Sequence, residues 1–174
     1  MRFYILIFAL IVAFASEAKD PKVAGIRNTF YALTLDSENT AEKLEELRQI
    51  KERNGLMTAY EAAMEALMAK VAWNPLSKIG HVKKSQEIFD KAIEMDPRNV
   101  EIRFLRFSVE WHIPRWLGYS KNLQSDKDFI MNRYTEFDTS CLSQDMLNFI
   151  NRFLNDSGWF SKSELALVYE ATKK

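Results

Sequence analysis

Residues 85–111 read SQEIFDKAIEMDPRNVEIRFLRFSVEW and predict two packed helices with a sharp break between them. Apolar residues in the first half recur three and four positions apart, which is the spacing of one face of a helix. Asp96 and Pro97 end this pattern, because proline lacks the amide hydrogen that a helix interior requires. The second half, from Val100, is apolar on more than one side, which predicts a helix buried between neighbours. The stretch therefore predicts a helix pair that organises the fold.

The rest of the chain shows the same helical spacing, and no segment alternates apolar and polar residues as a strand would. Residues 56–72 form the strongest predicted helix. Its many alanines keep it thin enough for neighbours to approach closely, so we expect it to be central. About eight helices joined by short breaks predict one all-α domain, with no sheet, over residues 19–174. The predicted helices cover residues 19–35, 38–53, 56–72, 82–95, 100–113, 126–137, 144–154 and a last segment from about 162.

Capping residues and breaks set the predicted boundaries. Asn54 and Gly55 end the second helix, because glycine commonly terminates helices. Residues 76–81, which contain Gly80, form a connector. Ser125 caps the sixth helix, because serine side chains accept hydrogen bonds from the free amides of a first helical turn.

Within the opening stretch, Ser85, Phe89, Ala92 and Pro97 stand at offsets 0, 4, 7 and 12. This spacing resembles the second half of a tetratricopeptide repeat, A-x3-F-x2-A-x4-P, in which small residues let two helices approach and the proline forces the turn. Serine replaces alanine at the first position, and no W-x2-L-G-x2-Y signature precedes it.

The partial match covers residues 57–111. It implies antiparallel helical hairpins stacked in tetratricopeptide style, with a core over residues 56–113, and a concave surface that binds other proteins. A wider block, residues 73–78 (WNPLSK) with residues 96–130, also resembles an uncharacterised family of exported bacterial proteins. That second resemblance implies no activity.

The amino-terminal residues 1–18, MRFYILIFALIVAFASEA, predict a secretory signal peptide. Arg2 is followed by an apolar run over residues 3–14, and small residues then allow cleavage after Ala15 or Ala18. The run is shorter than the ~20 residues that a transmembrane helix needs. We therefore expect an exported protein, periplasmic or secreted, with no stable membrane insertion after cleavage. The alternative is a protein tethered to the membrane by an uncleaved run.

Charge and cysteine content exclude several partners. The 24 basic and 24 acidic residues balance, so the chain lacks the positive excess of a nucleic-acid-binding protein. Cys141 is the single cysteine, so the chain has no internal disulfide partner and no CxxC metal motif.

Few residues are candidates for chemistry, and we expect no catalytic residue, no cofactor and no metal. His81 and His112 lack the neighbours of known metal motifs, and a zinc site shared with Cys141 would need distant segments to converge. Glu61 and Glu65 lie one turn apart and could pair as acid and base. We interpret them instead as the solvated side of an amphipathic helix.

Arginines next to large aromatic residues form the one candidate interaction surface. Such pairs are common at binding hot spots, and also at the margins of a core helix. The candidate residues are Arg103, Arg106, Trp111, Arg115, Trp116 and Tyr119. The leading hypothesis is an exported, non-enzymatic helical-repeat protein that binds a protein or peptide. The alternative is a ligand-binding or enzymatic helical domain.

Overall fold

The computed structural model describes residues 20–137, 139–140 and 142–172, so the predicted signal peptide and Cys141 lie outside the described residues. The described chain is all-helical without strands, as predicted, and forms eight α-helices and two short 3-10 helices. The α-helices are α1 (Pro21–Leu35), α2 (Thr40–Arg48), α3 (Gly55–Val71), α4 (Pro75–Met95), α5 (Val100–His112), α6 (Leu123–Arg133), α7 (Gln144–Ser157) and α8 (Lys162–Thr172). The 3-10 helices are Arg115–Leu117 and Tyr134–Glu136.

Helix α3 is the centre of the first half of the molecule, as its alanine content predicted. It contacts α1, α2, α4 and α5, and every residue from 55 to 65 is buried. Ala59, Ala62 and Ala63 are fully buried. Because these side chains are only methyl groups, helices on several sides can pack close to the α3 backbone.

The connector predicted for residues 76–81 is wrong, because helix α4 begins at Pro75. Asn74 caps this helix by accepting a hydrogen bond from the Ser77 amide at 2.8 Å. A proline at the first helical position is tolerated, since the amide it lacks has no partner inside the helix. Helices α3 and α4 therefore form a tight antiparallel hairpin, and Ser85 of α4 donates to the Ala62 carbonyl of α3 at 2.7 Å.

Two other predicted boundaries are also wrong. Helix α2 ends at Arg48, and Asn54 instead caps α3 by accepting from the Met57 amide at 2.8 Å. Helix α6 begins at Leu123, before the predicted cap. The fully buried Glu110 carboxylate of α5 accepts from the Asn122 amide at 2.8 Å, which fixes the start of α6 from outside the helix.

The break in the opening stretch is where the sequence predicted it. Helix α4 ends at Met95, and Asn99 then caps α5, its side chain accepting from the amides of Glu101 and Ile102. Helix α5 is shared by two apolar clusters. Ile102 belongs to the cluster that α5 forms with α1, α2, α3 and α4, whereas Phe107 belongs to the cluster that it forms with α6, α7 and α8. This double contact explains why α5 is apolar on more than one side.

No helix in the described ranges is both long enough and apolar enough to cross a membrane.

Candidate functional site

An apolar groove with a cavity of about 60 Å³ lies where helices α1, α3, α5 and α7 meet. We call this feature the groove. Each of three helices contributes one face, with residues spaced three and four apart. The lining residues are Arg27, Phe30, Tyr31 and Thr34 of α1; Tyr60 of α3; Glu101, Phe104 and Leu105 of α5; Met146, Phe149 and Ile150 of α7; and Phe137 and Leu142 of the connection between α6 and α7.

The lining helices alternate along the chain. If the helices are paired in order, α1, α3, α5 and α7 are the first members of successive pairs. None of the lining residues belongs to α2, α4, α6 or α8 among the described segments. The second member of each pair therefore lies away from the groove.

Three buried polar side chains form the floor of the groove. The Arg27 guanidinium donates from Nε and Nη2 to the two carboxylate oxygens of Glu101, each at 2.7 Å. The Tyr60 hydroxyl donates to Oε1 of Glu101 at 2.5 Å. All three residues are buried. The two opposite charges are therefore paired in side-on geometry.

Tyr60 remains protonated at physiological pH. Burial raises the pKa of its hydroxyl well above the ordinary value of 10.0, and the neighbouring Glu101 charge raises it further. The phenol therefore acts as a hydrogen-bond donor to Glu101. Thr34 donates its hydroxyl to the Tyr31 carbonyl at 2.6 Å. These polar side chains serve the protein's own contacts, so a ligand in the groove would meet mainly apolar surface.

Aromatic pairs connect the helices around the groove. The ring of Tyr31 on α1 meets that of Phe149 on α7 edge-on, with centroids 5.5 Å apart. Phe30 and Tyr60 form a second edge-on pair at 5.5 Å. Phe149 is 38% exposed, so the first pair lies at the mouth of the groove. Such pairs favour a defined separation of the helices that carry them.

The interpretation of Glu61 and Glu65 as solvated residues is wrong, because both are buried. Arg48 of α2 donates to both carboxylates, at 3.0 Å to Glu61. Arg53 also donates to Glu61. The side of α3 that sequence spacing assigned to water is therefore covered by basic side chains of its neighbours.

Glu65 also pairs with helix α4. His81 Nδ1 lies 2.8 Å from Oε1 of Glu65, and Lys84 Nζ lies 3.3 Å from Oε2. Burial alone would raise the pKa of Glu65. Hydrogen bonds from His81 and Arg48 and the charges of Lys84 and Arg48 outweigh it, so the pKa lies below its ordinary value of 4.5. Glu65 therefore stays ionised and ties α2, α3 and α4 together.

The two arginines of the predicted interaction surface that lie on α5 make internal contacts. Arg106 is 5% exposed and donates from Nε and Nη2 to the fully buried Asp126 of α6, each bond being 2.7 Å long. Arg103 donates to the same carboxylate at 3.1 Å and lies over the Phe129 ring. These side chains join α5 to α6 and leave little of Arg106 for a partner.

The other four predicted surface residues are spread over different environments. Trp111 donates from Nε1 to the Ser157 carbonyl at 3.1 Å, which links α5 to the end of α7. Arg115 is exposed and lies over the Trp159 ring, 5.0 Å from its centroid. Trp116 is 83% exposed. Tyr119 is half-buried. Arg115 and Trp116 are therefore the accessible members of the predicted surface.

The histidines have separate partners. His81 contacts Glu65, and His112 Nδ1 lies 2.7 Å from the Ser108 carbonyl. Within the described ranges, no group of three or more His, Cys, Asp or Glu residues could hold a metal ion.

The groove was missed by sequence reasoning, although a signal existed. Arg27 stands four positions after Val23 and three before Phe30, on the apolar face of its helix. Glu101 likewise stands three positions before Phe104 and four before Leu105, on an apolar face of α5. A charged residue on an apolar helix face indicates a buried partner, since an unpaired charge is rarely buried.

Comparisons of the chain with protein-family models, with curated proteins and with solved structures found no match.

Proposed function

We propose that this chain is a non-enzymatic binding module that holds a peptide segment of a partner protein across the groove, with an apolar side chain of the peptide in the cavity. The main support for the proposal is that every second helix along the chain lines the groove. Stacked helical hairpins, such as those of tetratricopeptide repeats, form a concave surface from one helix of each pair. The walls of the groove come from α1, α3, α5 and α7, and this alternation supports a binding surface of the same kind.

The open shape of the groove favours a peptide over a small-molecule ligand. Sites for drug-sized ligands enclose roughly 70–90% of the ligand's surface. The groove opens to solvent at Phe149, and its lining is mainly apolar. The alternative, a small-ligand-binding or enzymatic helical domain, would require a closed pocket with a few converging polar groups. The polar residues on the floor also fit a structural role, because Arg27 and Tyr60 both bind Glu101.

We propose further that the module is exported, with residues 1–18 acting as a signal peptide. Amino-terminal sequencing of the protein recovered from the exported fraction tests this directly. A start at Ser16 or Lys19 is expected. A start at Met1 in membrane-bound protein would instead indicate a tether.

Peptide selection tests the binding function. A random peptide library displayed on phage is selected against the full chain, and calorimetry measures the affinity of enriched peptides. Phe149→Glu introduces a charge at the mouth of the groove and should weaken binding at least about tenfold, or about 1.4 kcal/mol.

Trp116→Ala is the matched control, because Trp116 is an exposed aromatic residue outside the groove lining. This control should leave the affinity unchanged. Failure to enrich any peptide, or equal affinity for wild type and Phe149→Glu, would contradict the proposal. If only Trp116→Ala lost binding, the peptide would bind the predicted surface around Arg115 and not the groove.

A further inference from the structure

The hairpin of α3 and α4 ends in a tip that projects from the rest of the molecule. Burial along α3 is continuous from residue 55 to residue 65 and then falls, so that Lys70 and Val71 are exposed. On the returning helix, residues 75–80 are all exposed. Met68 is the last residue of α3 that packs against the core, and a rise of 1.5 Å per residue places the turn at residue 72 about 6 Å beyond it. We call residues 66–84 the hairpin tip.

Large apolar side chains are exposed on this tip. Trp73 is 91% exposed and Leu76 is 83% exposed. Val71 and Ile79 are also exposed, at 45% and 37%. Single exposed apolar residues are ordinary on protein surfaces, but four within nine positions form a patch that indicates a binding surface.

The ionised side chains of the hairpin tip are all positively charged. Residues 66–86 contain four lysines, at positions 70, 78, 83 and 84, and no aspartate or glutamate. Lys84 pairs with Glu65 at 3.3 Å. Lys70, Lys78 and Lys83 form no ion pair with any described residue. This local positive charge contrasts with the net charge of zero of the whole chain.

We propose that the hairpin tip docks on the surface of an anionic lipid bilayer. Trp73 and Leu76 enter the region between headgroups and acyl chains, and the lysines contact the lipid phosphates. Tryptophan favours this interfacial region, and lysines near an anionic surface are attracted to it. The projection of about 6 Å lies within the depth of roughly 5–10 Å that interfacial apolar groups reach.

Two features favour a lipid surface over a protein partner. Protein interfaces are depleted in lysine, whereas surfaces that bind anionic lipids are enriched in it. The apolar residues also cover a projecting turn, and a fluid layer can enclose such a turn without a matching cavity. The proposed contact is peripheral and does not involve a helix that crosses the bilayer, and it is independent of the groove.

Fluorescence quenching by brominated lipids tests the position of Trp73. The full chain is mixed with vesicles of phosphatidylcholine alone, or of phosphatidylcholine with about a third phosphatidylglycerol, each with and without brominated acyl chains. The readout is the difference in quenching between wild type and Trp73→Phe, a substitution that keeps an aromatic ring and removes the reporter. This difference reports only how close Trp73 lies to the acyl chains. Attachment of the amino-terminal segment to the vesicle therefore does not produce the difference.

Brominated anionic vesicles should quench the wild type, and Trp73→Phe should lose most of this quenching. Trp116→Phe is the matched control and should retain it, since Trp116 is also more than 80% exposed but lies outside the tip. Neutral vesicles should produce little Trp73-dependent quenching. Equal quenching of wild type and Trp73→Phe, or no quenching by anionic vesicles, would overturn the proposal.

Reversing the charge of the tip lysines provides a second, independent test of the proposal. The triple variant Lys70→Glu, Lys78→Glu and Lys83→Glu should lower Trp73-dependent binding to anionic vesicles at least about tenfold. The control variant Lys22→Glu, Lys121→Glu and Lys162→Glu has the same net charge and also changes exposed lysines. It should bind as the wild type does. Equal binding by the two triple variants would overturn the proposal, because the effect would then follow net charge alone.

Discussion

Arg27 and Glu101 stand 74 residues apart in the chain and form a buried side-on ion pair, with two hydrogen bonds of 2.7 Å each. The pair joins α1 to α5 beneath the groove. Tyr60 of α3 donates a further hydrogen bond to the same carboxylate. One polar contact therefore sets the relative position of three of the four helices that line the groove.

Replacing one member of this pair should strongly destabilise the protein. Arg27→Met leaves the Glu101 carboxylate buried without its guanidinium, and loss of one partner of a buried pair costs about 3–5 kcal/mol. Urea denaturation followed by circular dichroism measures the change in the free energy of unfolding. A loss below about 1 kcal/mol would contradict the assigned burial of the pair.

The double variant Arg27→Met, Glu101→Leu separates the penalty of an unpaired charge from the value of the pair. Apolar replacement of both partners is often close to neutral, so the double variant should be more stable than Arg27→Met alone. A double variant that is less stable than the single variant would contradict the penalty of an unpaired charge, and would show that Glu101 stabilises the fold without Arg27, for example through Tyr60.

Two glycines in helices should respond in opposite directions to replacement by alanine. A Cβ at Gly55 would lie 2.9 Å from the Cβ of Asp96 and 3.0 Å from the Ala92 carbonyl oxygen, so α3 and α4 would have to separate. Gly55→Ala should destabilise the protein by about 1–3 kcal/mol, as measured by urea denaturation.

Gly80→Ala is the matched control within the same hairpin. A Cβ at Gly80 meets nothing within 4 Å, and alanine is the better helix former. This variant should be more stable than wild type by up to about 1 kcal/mol. Equal effects at the two positions would contradict the close approach of α3 and α4 at Gly55.

The stability conferred by Glu65 should depend on pH. Its pKa is lowered in the folded state, so its stabilising contribution is present above the ordinary value of 4.5 and is lost as the pH falls through the folded-state value. Arg48, His81 and Lys84 face its carboxylate, and Glu61 shares Arg48 with it. Glu65→Gln should cost about 1–3 kcal/mol at neutral pH.

Urea denaturation from about pH 7 down to about pH 3 checks the sign. The difference in unfolding free energy between wild type and Glu65→Gln should shrink as the pH falls. Glu87→Gln, at an exposed position on α4, should show a difference near zero at every pH. A difference that grows at low pH would show that burial, and not the surrounding cations, dominates the titration of Glu65.

Local patterns predicted most of the helices. Apolar spacing located α3, α5 and α7, because the residues that define the buried faces of these helices lie within one or two turns of each other. The predicted start of α4 is too late because the helix continues through Gly80 and begins at Pro75, after the cap at Asn74. An exposed glycine inside a helix reduces stability modestly and does not end the helix.

Local sequence patterns could not predict the groove. The stripe that contains Arg27 and Phe30 identifies one face of α1, but the partners of that face come from helices far along the chain. Glu61 and Glu65 show the same limit, since whether the acidic side of α3 meets water depends on how α2 and α4 pack. The order of helices along the chain does not determine these contacts.

The most direct test of the proposed binding function is an NMR titration of the full chain with an enriched peptide. Backbone amide shifts of assigned residues report where the peptide lies. A peptide held in the groove should cause the largest changes at Tyr31, Thr34, Phe149 and Ile150, with little change at Trp116 or at the hairpin tip. Changes confined to Trp116 and its neighbours, with the groove residues unperturbed, would contradict it.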